Sequence, residues 1–220
     1  MPLSALLFDL DGTLADSDPL HCEAFHIAAR RRGVDFDEAF FVSHMSGHSN
    51  HEIGESLFPH LSRVERDLAV AEKEQLFRAN LSKLQPVTGL YPLLVWAQAK
   101  GLALGVVSNA PQANIDGVLA AFNIAADFTV TVSAETLARS KPDPLPYVTA
   151  LERLGLTAEQ AVVFEDAVPG LTAAVRANIP SVGVLTSHTA DSLTAVGAVL
   201  TVQDFADPHL LPFLEQRLSC

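Results

Sequence analysis

The sequence predicts an α/β fold, a parallel sheet whose first strand is followed by a long helical insertion. Three observations predict it. Short apolar runs such as Leu3 to Phe8, Leu102 to Val107 and Ala161 to Phe164 are bounded by polar turns, the pattern of strands buried on both faces. From Pro86 onward such runs alternate with segments of helical spacing, which implies right-handed crossovers between parallel neighbours. Between Asp18 and Leu84, in contrast, Ala, Glu, Arg, Leu and Phe recur at helical spacing with almost no β-branched runs.

Taken in order, Leu3 to Phe8 is the first strand, closed by Asp9-Leu10-Asp11-Gly12-Thr13. Pro19 to Arg32 predicts a helix stopped by Gly33. Ser49-Asn50-His51-Glu52 has capping-box spacing, which starts a second helix that runs to Phe58-Pro59. Ser62 to Leu84 predicts a third, long and highly charged helix. Residues 16–85 thus form a helical unit, with 1–15 and 86–220 making the sheet domain. Further strands are expected at Leu102 to Val107, Phe128 to Val132, Ala161 to Phe164, Ser181 to Leu185 and Ala198 to Val202. Helices are expected at Gln112 to Phe122, Pro144 to Leu154, Pro169 to Ala177 with proline at an early position, and after Pro208.

Composition narrows the partners. Hydrophobic residues make up 49% and charged residues 18%, enough for a sizeable core. A formal charge of −12 argues against nucleic acid or an anionic membrane as partner, since both require clustered Lys and Arg. A phosphorylated small metabolite is not excluded, because local cations and a metal can reverse the field at one site. Cys22 and Cys220 lie far apart without metal-ligand spacing and read as reduced thiols. The first strand begins by Leu3, and no apolar run approaches the ~20 residues of a membrane span. The expectation is a cytoplasmic protein, a monomer or weak dimer.

Four strand endings carry the chemistry. The first strand stops at Asp9 and Asp11; the next at Ser108-Asn109; another leads to Lys141-Pro142-Asp143-Pro144; another ends in Glu165-Asp166. Asp-Gly alone is a common turn, and two solvated acids would be the bland reading. In an open parallel sheet, however, all of these endings converge on the carboxyl edge, where ligands bind. Carboxylates gathered there need pairing or a metal. Each residue type suits phosphoryl transfer. Asp9 can attack phosphorus, and Asp11 can protonate the leaving oxygen and then deprotonate water. Ser108, backbone amides and Lys141 can hold the phosphoryl oxygens. Asp166, Asp9 and a backbone carbonyl near Asp11 supply the hard oxygens that Mg²⁺ prefers.

Asp9-Leu10-Asp11-Gly12-Thr13, Ser108-Asn109, Lys141-Pro142 and Glu165-Asp166 with Gly170 resemble, in order and spacing, the four motifs of the haloacid dehalogenase superfamily. The helical insert resembles the small cap of the branch containing phosphoglycolate phosphatase and β-phosphoglucomutase. The resemblance implies a Rossmann-like core under a mobile α-helical cap. By it, Asp9 is the nucleophile and Asp11 the acid/base, both also at the metal. Ser108, Asn109 and Lys141 bind phosphate. Asp166 is a metal ligand, and Glu165 is either a further ligand or a support for the others.

Within that family, Asp11 argues against a dehalogenase, which lacks this second aspartate and needs no metal. A mutase must hold a second phosphate. Here His48 stands in the cap stretch Ser46 to Asn50 where the mutase has arginine, and Ala110-Pro111-Gln112 carries no lysine. Histidine is a poor substitute for a fixed guanidinium at a phosphate. The expected activity is therefore a Mg²⁺-dependent phosphatase acting on a sugar phosphate or a phosphoglycolate-like monoester, with the phosphomutase as alternative. A receiver-type signalling domain is disfavoured by Asp11 and by the insert. His21, His48 and Asn50 are the expected specificity residues, His21 equally readable as an ordinary half-buried helix residue. His44, His48 and His51 could suggest a second metal, but Gly47 and a helix start at Ser49 argue against a shared face. Lys83 reads as solvated and Trp96 as core.

Overall fold

The computed structural model describes residues 1–219, so Cys220 lies outside the described residues. β1 (Ala5–Phe8) is buried along its whole length. The chain then turns at Gly12, where φ is +71° and a methyl group would collide with the Asp166 carboxylate. It leaves the sheet through β2 (Ala15–Asp16) into α1 (Asp18–Arg30), α2 (Glu38–His44), α3 (Asn50–Leu57) and α4 (Arg63–Arg78), and returns through β3 (Gln85–Pro86). β2 and β3 pair antiparallel, Ala15 opposite Pro86 and Asp16 opposite Gln85, so both crossings share one ribbon.

The rest of the chain alternates: α5 (Leu90–Ala99), β4 (Ala103–Ser108), α6 (Gln112–Ala121), β5 (Val130–Ser133), α7 (Leu145–Leu154), β6 (Ala161–Glu165), α8 (Val168–Arg176), β7 (Ser181–Val184), α9 (Ala190–Val196), β8 (Leu200–Val202) and α10 (Leu210–Leu218). The six-stranded sheet has the order β5-β4-β1-β6-β7-β8, and every pairing in it is parallel. From β5 the chain crosses over β1 to β6 on the other side. The carboxyl ends of β1, β4 and β6 therefore meet at the switch point, where such sheets bind ligands.

Side chains from alternate strand positions fill two layers. Leu6, Phe8, Val106 and Phe164 face one side with Phe205 and Leu210, and the rings of Phe8 and Phe164 stack at 4.9 Å. Leu7, Val107 and Val163 face the other, against Tyr147 and Ala150 of α7 and Ala173 of α8. The helical cap has its own apolar cluster of Phe25, Phe41, Met45, Ile53, Leu57 and Phe58. Leu20, Ala24 and Phe77, at its base, belong instead to the sheet's larger core.

The capping box at Ser49 and Glu52 is present and starts α3 as expected. A second box, Ser62 with Glu65, starts α4. That helix ends at Arg78 rather than near Leu84, because the Asn80 amide donates back to the Leu76 carbonyl (2.8 Å) and a 3-10 turn, Leu81–Lys83, follows. Three helices add to those expected. α2 is capped by Asp37 but buries only Phe41, so it shows little periodicity. α5 is apolar on nearly all sides behind Gly89 and carries Pro92 in its first turn. α9 is seven residues between Thr189 and Gly197, too short for a helical period to show. Trp96 packs against the core, and Lys83 stays at the surface, 3.8 Å from Glu23. Among the described residues no helix is long and apolar enough to cross a membrane.

Candidate active site

Asp9 follows β1, its backbone N–H donating to the Phe164 carbonyl (3.0 Å). Ser108 ends β4, and Glu165 ends β6 with Asp166 next. Lys141 enters from the loop between β5 and α7 and is almost wholly buried. Its Nζ donates to Asp9 Oδ1 (2.7 Å), Glu165 Oε1 (2.6 Å) and the Val107 carbonyl (2.7 Å), which uses all three ammonium hydrogens. The Tyr147 hydroxyl donates to the same Glu165 oxygen, and its ring lies 5.2 Å from Nζ. Burial, reinforced by Glu165 and Asp9, pushes the Tyr147 phenol well above its ordinary value, so it stays a donor.

Asp9, Glu165 and Asp166 each offer a carboxylate oxygen, all buried and within 4.8 Å of one another. Burial raises Asp9 above the usual carboxylate range, against the pull of Lys141. Burial, with Asp9, Asp18 and Glu165 close by, raises Asp166 well above it. Burial outweighs Lys141 at Glu165 too and pushes it up to about 7. Glu165 Oε2 is buried without a hydrogen-bond partner, packed so closely on Gly170 that a methyl group there would collide with it. Crowded hard oxygens, one of them unpartnered, fit a divalent cation.

A stability effect follows with a definite sign. A carboxyl raised on folding contributes stability that is full below its unfolded value and is lost as pH rises through its folded value. For Glu165 that window runs from 4.5 to about 7. In chelator, the melting temperature should fall between about pH 5.5 and about pH 8, and Mg²⁺ should recover more of it at the higher pH. A metal-free melting temperature that does not change over this range, or rises, would count against the reading of this cluster.

Asp11 sits in the opposite environment. Its Oδ1 accepts from Ser17 Oγ (2.6 Å) and from His21 Nε2 (2.9 Å). Burial alone would raise this carboxyl, but His21 and Ser17 hold it down to about 2. The His21 ring stacks on Phe77 at 3.9 Å, so this residue is both a packed helix residue and a partner of Asp11. Behind the cluster, Thr13 Oγ1 donates to Asp166 Oδ1 (3.2 Å), and Ser187 Oγ lies 2.5 Å from Asp166 Oδ2 and 3.0 Å from Asp18 Oδ2.

Ser108 Oγ is buried and accepts from the Ala110 N–H (3.0 Å). The Asn109 side chain is already committed: its Oδ1 accepts from the Lys141 N–H (3.0 Å), and its Nδ2 donates to the carbonyls of Lys141 (3.3 Å) and Gly47 (3.1 Å). It ties the lysine loop to the cap, and a phosphate could be met there by its backbone N–H. The cap closes over these groups and leaves a cavity of about 60 Å³ that His21, His48 and Asn50 also line. His44 is exposed beside Ser43 and His51 is largely exposed, so the three cap histidines do not converge.

Several cavity-lining residues escaped the sequence reading, among them Asp18, Lys73, Glu74 and Asn114. Lys73 and Glu74, on α4, are both buried, with Lys73 Nζ 2.9 Å from Glu74 Oε1. Glu74 Oε2 accepts from Asn114 Nδ2 (2.5 Å), and Asn114 Oδ1 accepts from Arg78 (2.9 Å). Beside the cavity, and sharing Asn50, Glu74 and Asn109 with it, runs a wider groove of about 790 Å³.

A family model described as haloacid dehalogenase-like hydrolase matches residues 6–184. Validoxylamine A 7'-phosphate phosphatase from Streptomyces hygroscopicus subsp. limoneus is 30% identical over 207 residues, 94% of this chain and 97% of that protein. A phosphorylated carbohydrates phosphatase from Thermotoga maritima is 31% identical over 212 residues, 91% of this chain and 94% of that one. Among solved structures, CbbY from Rhodobacter sphaeroides in complex with phosphate superposes with a TM-score of 0.84 at 25% identity, over 93% of this chain and 95% of that one. The fold of a β-phosphoglucomutase from Clostridium difficile is also similar, with a TM-score of 0.87 at 24% identity, over 99% of this chain and 97% of that one.

Proposed function

Since the chain belongs to the haloacid dehalogenase-like hydrolases, we propose that it is a Mg²⁺-dependent phosphatase that hydrolyses a small phosphomonoester through an aspartyl phosphate. One observation carries this reading: two carboxyls two residues apart, at the end of the central strand, sit in different surroundings, Asp9 bonded to Lys141 among buried carboxylates and Asp11 bonded to Ser17 and His21. Environments that push two acids apart assign two roles. Asp9 lies among the buried carboxylates with Lys141, as a nucleophile would. Asp11 is ionised and oriented by His21 and Ser17, ready to accept a proton.

In the first step an Asp9 oxygen bonds to phosphorus while the ester bond breaks, and Asp11 gives a proton to the departing alkoxide. Donation requires Asp11 to be protonated first, which the arrival of a phosphate dianion favours by raising its affinity for a proton. In the second step Asp11 takes a proton from water, the water oxygen bonds to phosphorus, and the Asp9 acyl-phosphate bond breaks to release phosphate. Ser108 positions one equatorial oxygen, and Lys141 takes another by exchanging one of its three present acceptors for the substrate, with Asn109 holding the Lys141 backbone in place. Asp9, Asp166 and the Asp11 backbone carbonyl would hold Mg²⁺, with Glu165 beside them, and the ion supplies positive charge that offsets the charge on those oxygens.

Residues 16–85 act as the cap, opening about the β2–β3 ribbon to admit substrate, because a cavity of about 60 Å³ has little room beside the catalytic groups. Closure excludes water from the first step. Carbohydrate-like monophosphates are the favoured substrates, since the Streptomyces and Thermotoga relatives are phosphatases of such compounds by name, while phosphoglycolate phosphatases are similar at up to 30% identity. Phosphate release from a panel of sugar phosphates and phosphoglycolate, with Mg²⁺ and with chelator, tests the reading. Metal-dependent release from a subset is expected. Interconversion of a sugar 1-phosphate and 6-phosphate after priming with a bisphosphate, without release, would give the site to a mutase.

A further inference from the structure

The cavity holds two lysines, and both are engaged by carboxylates. Lys141 is shared between Asp9 and Glu165. Lys73, on the cap-side wall, is paired with Glu74 at 2.9 Å and lies 4.4 Å from the Phe25 ring centroid, with Phe77 behind it. The remaining acidic residues that line the cavity are Asp9, Asp11, Asp18 and Glu165; of the two lining histidines, His21 is committed to Asp11, and His48 lies 3.9 Å from Glu52. Arg78, which lines the adjoining groove, donates to Asn114, which in turn donates to Glu74. One bound divalent cation would serve the phosphoryl group being transferred. A second anionic group on the substrate would then meet no lysine or arginine free of a carboxylate on the cap side, only the His48 imidazole, and it would face Glu74.

Resting on the phosphatase reading, we propose that Glu74 is a specificity-determining residue: by neutralising Lys73 it makes the cap-side wall fit the uncharged, hydroxyl-bearing part of a polyol monophosphate and reject substrates with a second anionic group. The Glu74 carboxylate, the Asn114 amide and Asn50 offer acceptors and donors that suit hydroxyls. Discrimination of this kind comes from a repulsive element against the wrong ligand as much as from contacts to the right one. It also predicts that the site can be re-specified by a change of one atom.

The test compares kcat/KM for a hexose monophosphate, whose phosphate is its one anionic group, with that for a sugar bisphosphate and for phosphoglycolate, in the unaltered protein, in Glu74→Gln and in Lys73→Met/Glu74→Gln. Glu74→Gln keeps the shape and leaves the Lys73 charge uncompensated. The ratio for substrates with two anionic groups over the substrate with one should rise by about tenfold or more, because like-charge opposition is replaced by attraction. The double variant should return the ratio to near its starting value, because the gain belongs to the freed lysine. A purely structural role for Glu74 would lower all substrates together and leave the ratio unchanged, which would overturn the proposal. So would an unaltered protein that prefers the bisphosphate or phosphoglycolate. Absence of phosphate release from every substrate in the unaltered protein would instead overturn the phosphatase reading itself.

Discussion

Replacing Asp9 with asparagine should abolish phosphate release, with a loss on the order of 10⁴-fold or more, as when a covalent nucleophile is removed elsewhere. Asparagine is nearly the same shape, and its amide oxygen can still accept from Lys141 Nζ, now 2.7 Å from Asp9 Oδ1. It cannot form the acyl phosphate. Because burial raises Asp9 on folding, the variant loses a penalised charge, so its melting temperature in chelator should be equal to or above that of the unaltered protein near neutral pH. The two readouts together separate loss of the nucleophile from loss of the fold. Substantial turnover with an intact fold would remove Asp9 from the role given to it here.

The second large effect is at Asp11. Asp11→Asn should lower kcat by about 10²–10⁴-fold for alkyl phosphates, the range of positioned acid–base groups. The loss should depend on the leaving group. An aryl phosphate with an acidic phenol needs no proton to depart, so Asp9 should still be phosphorylated. Hydrolysis of that acyl phosphate, which needs a base, should remain slow. A stoichiometric burst of phenolate with accumulation of phosphorylated protein is therefore expected in rapid-mixing experiments. An equal loss for alkyl and aryl substrates without a burst would mean that Asp11 acts on the first step in some way other than proton transfer.

The catalytic edge was legible because each of its strands ends abruptly. Three apolar runs pass directly into Asp9, Ser108 or Glu165-Asp166, a fourth reaches Lys141 after a loop, and a parallel sheet leaves those endings nowhere to go but one edge. The capping box at Ser49 was legible for a local reason, since both partners lie within one turn. Lys73 and Glu74 were hidden for the converse reason. They sit in a helix crowded with charge, where single positions look solvated, and only the closing of α4 onto α1 and the sheet domain buries them. Tyr147 likewise reads as an ordinary core aromatic until Glu165, from a distant strand, is found at its hydroxyl. The bonds of Asn109 to Gly47 and to Lys141 span loops far apart in sequence, and no spacing rule could have paired them.

Away from the apolar base of Leu20, Ala24 and Phe77, the seam between cap and sheet domain carries small polar contacts: Asn109 to Gly47, Ser187 to Asp18, Asn114 to Glu74 and Arg78 to Asn114. Water can replace each of them when the seam parts, at a net cost of about 0.5–1.5 kcal/mol for a neutral bond and somewhat more where a charge takes part. Bonds of this kind can part and re-form while each side stays folded, so a passage for substrate and product along this part of the seam would need no unfolding of the lid.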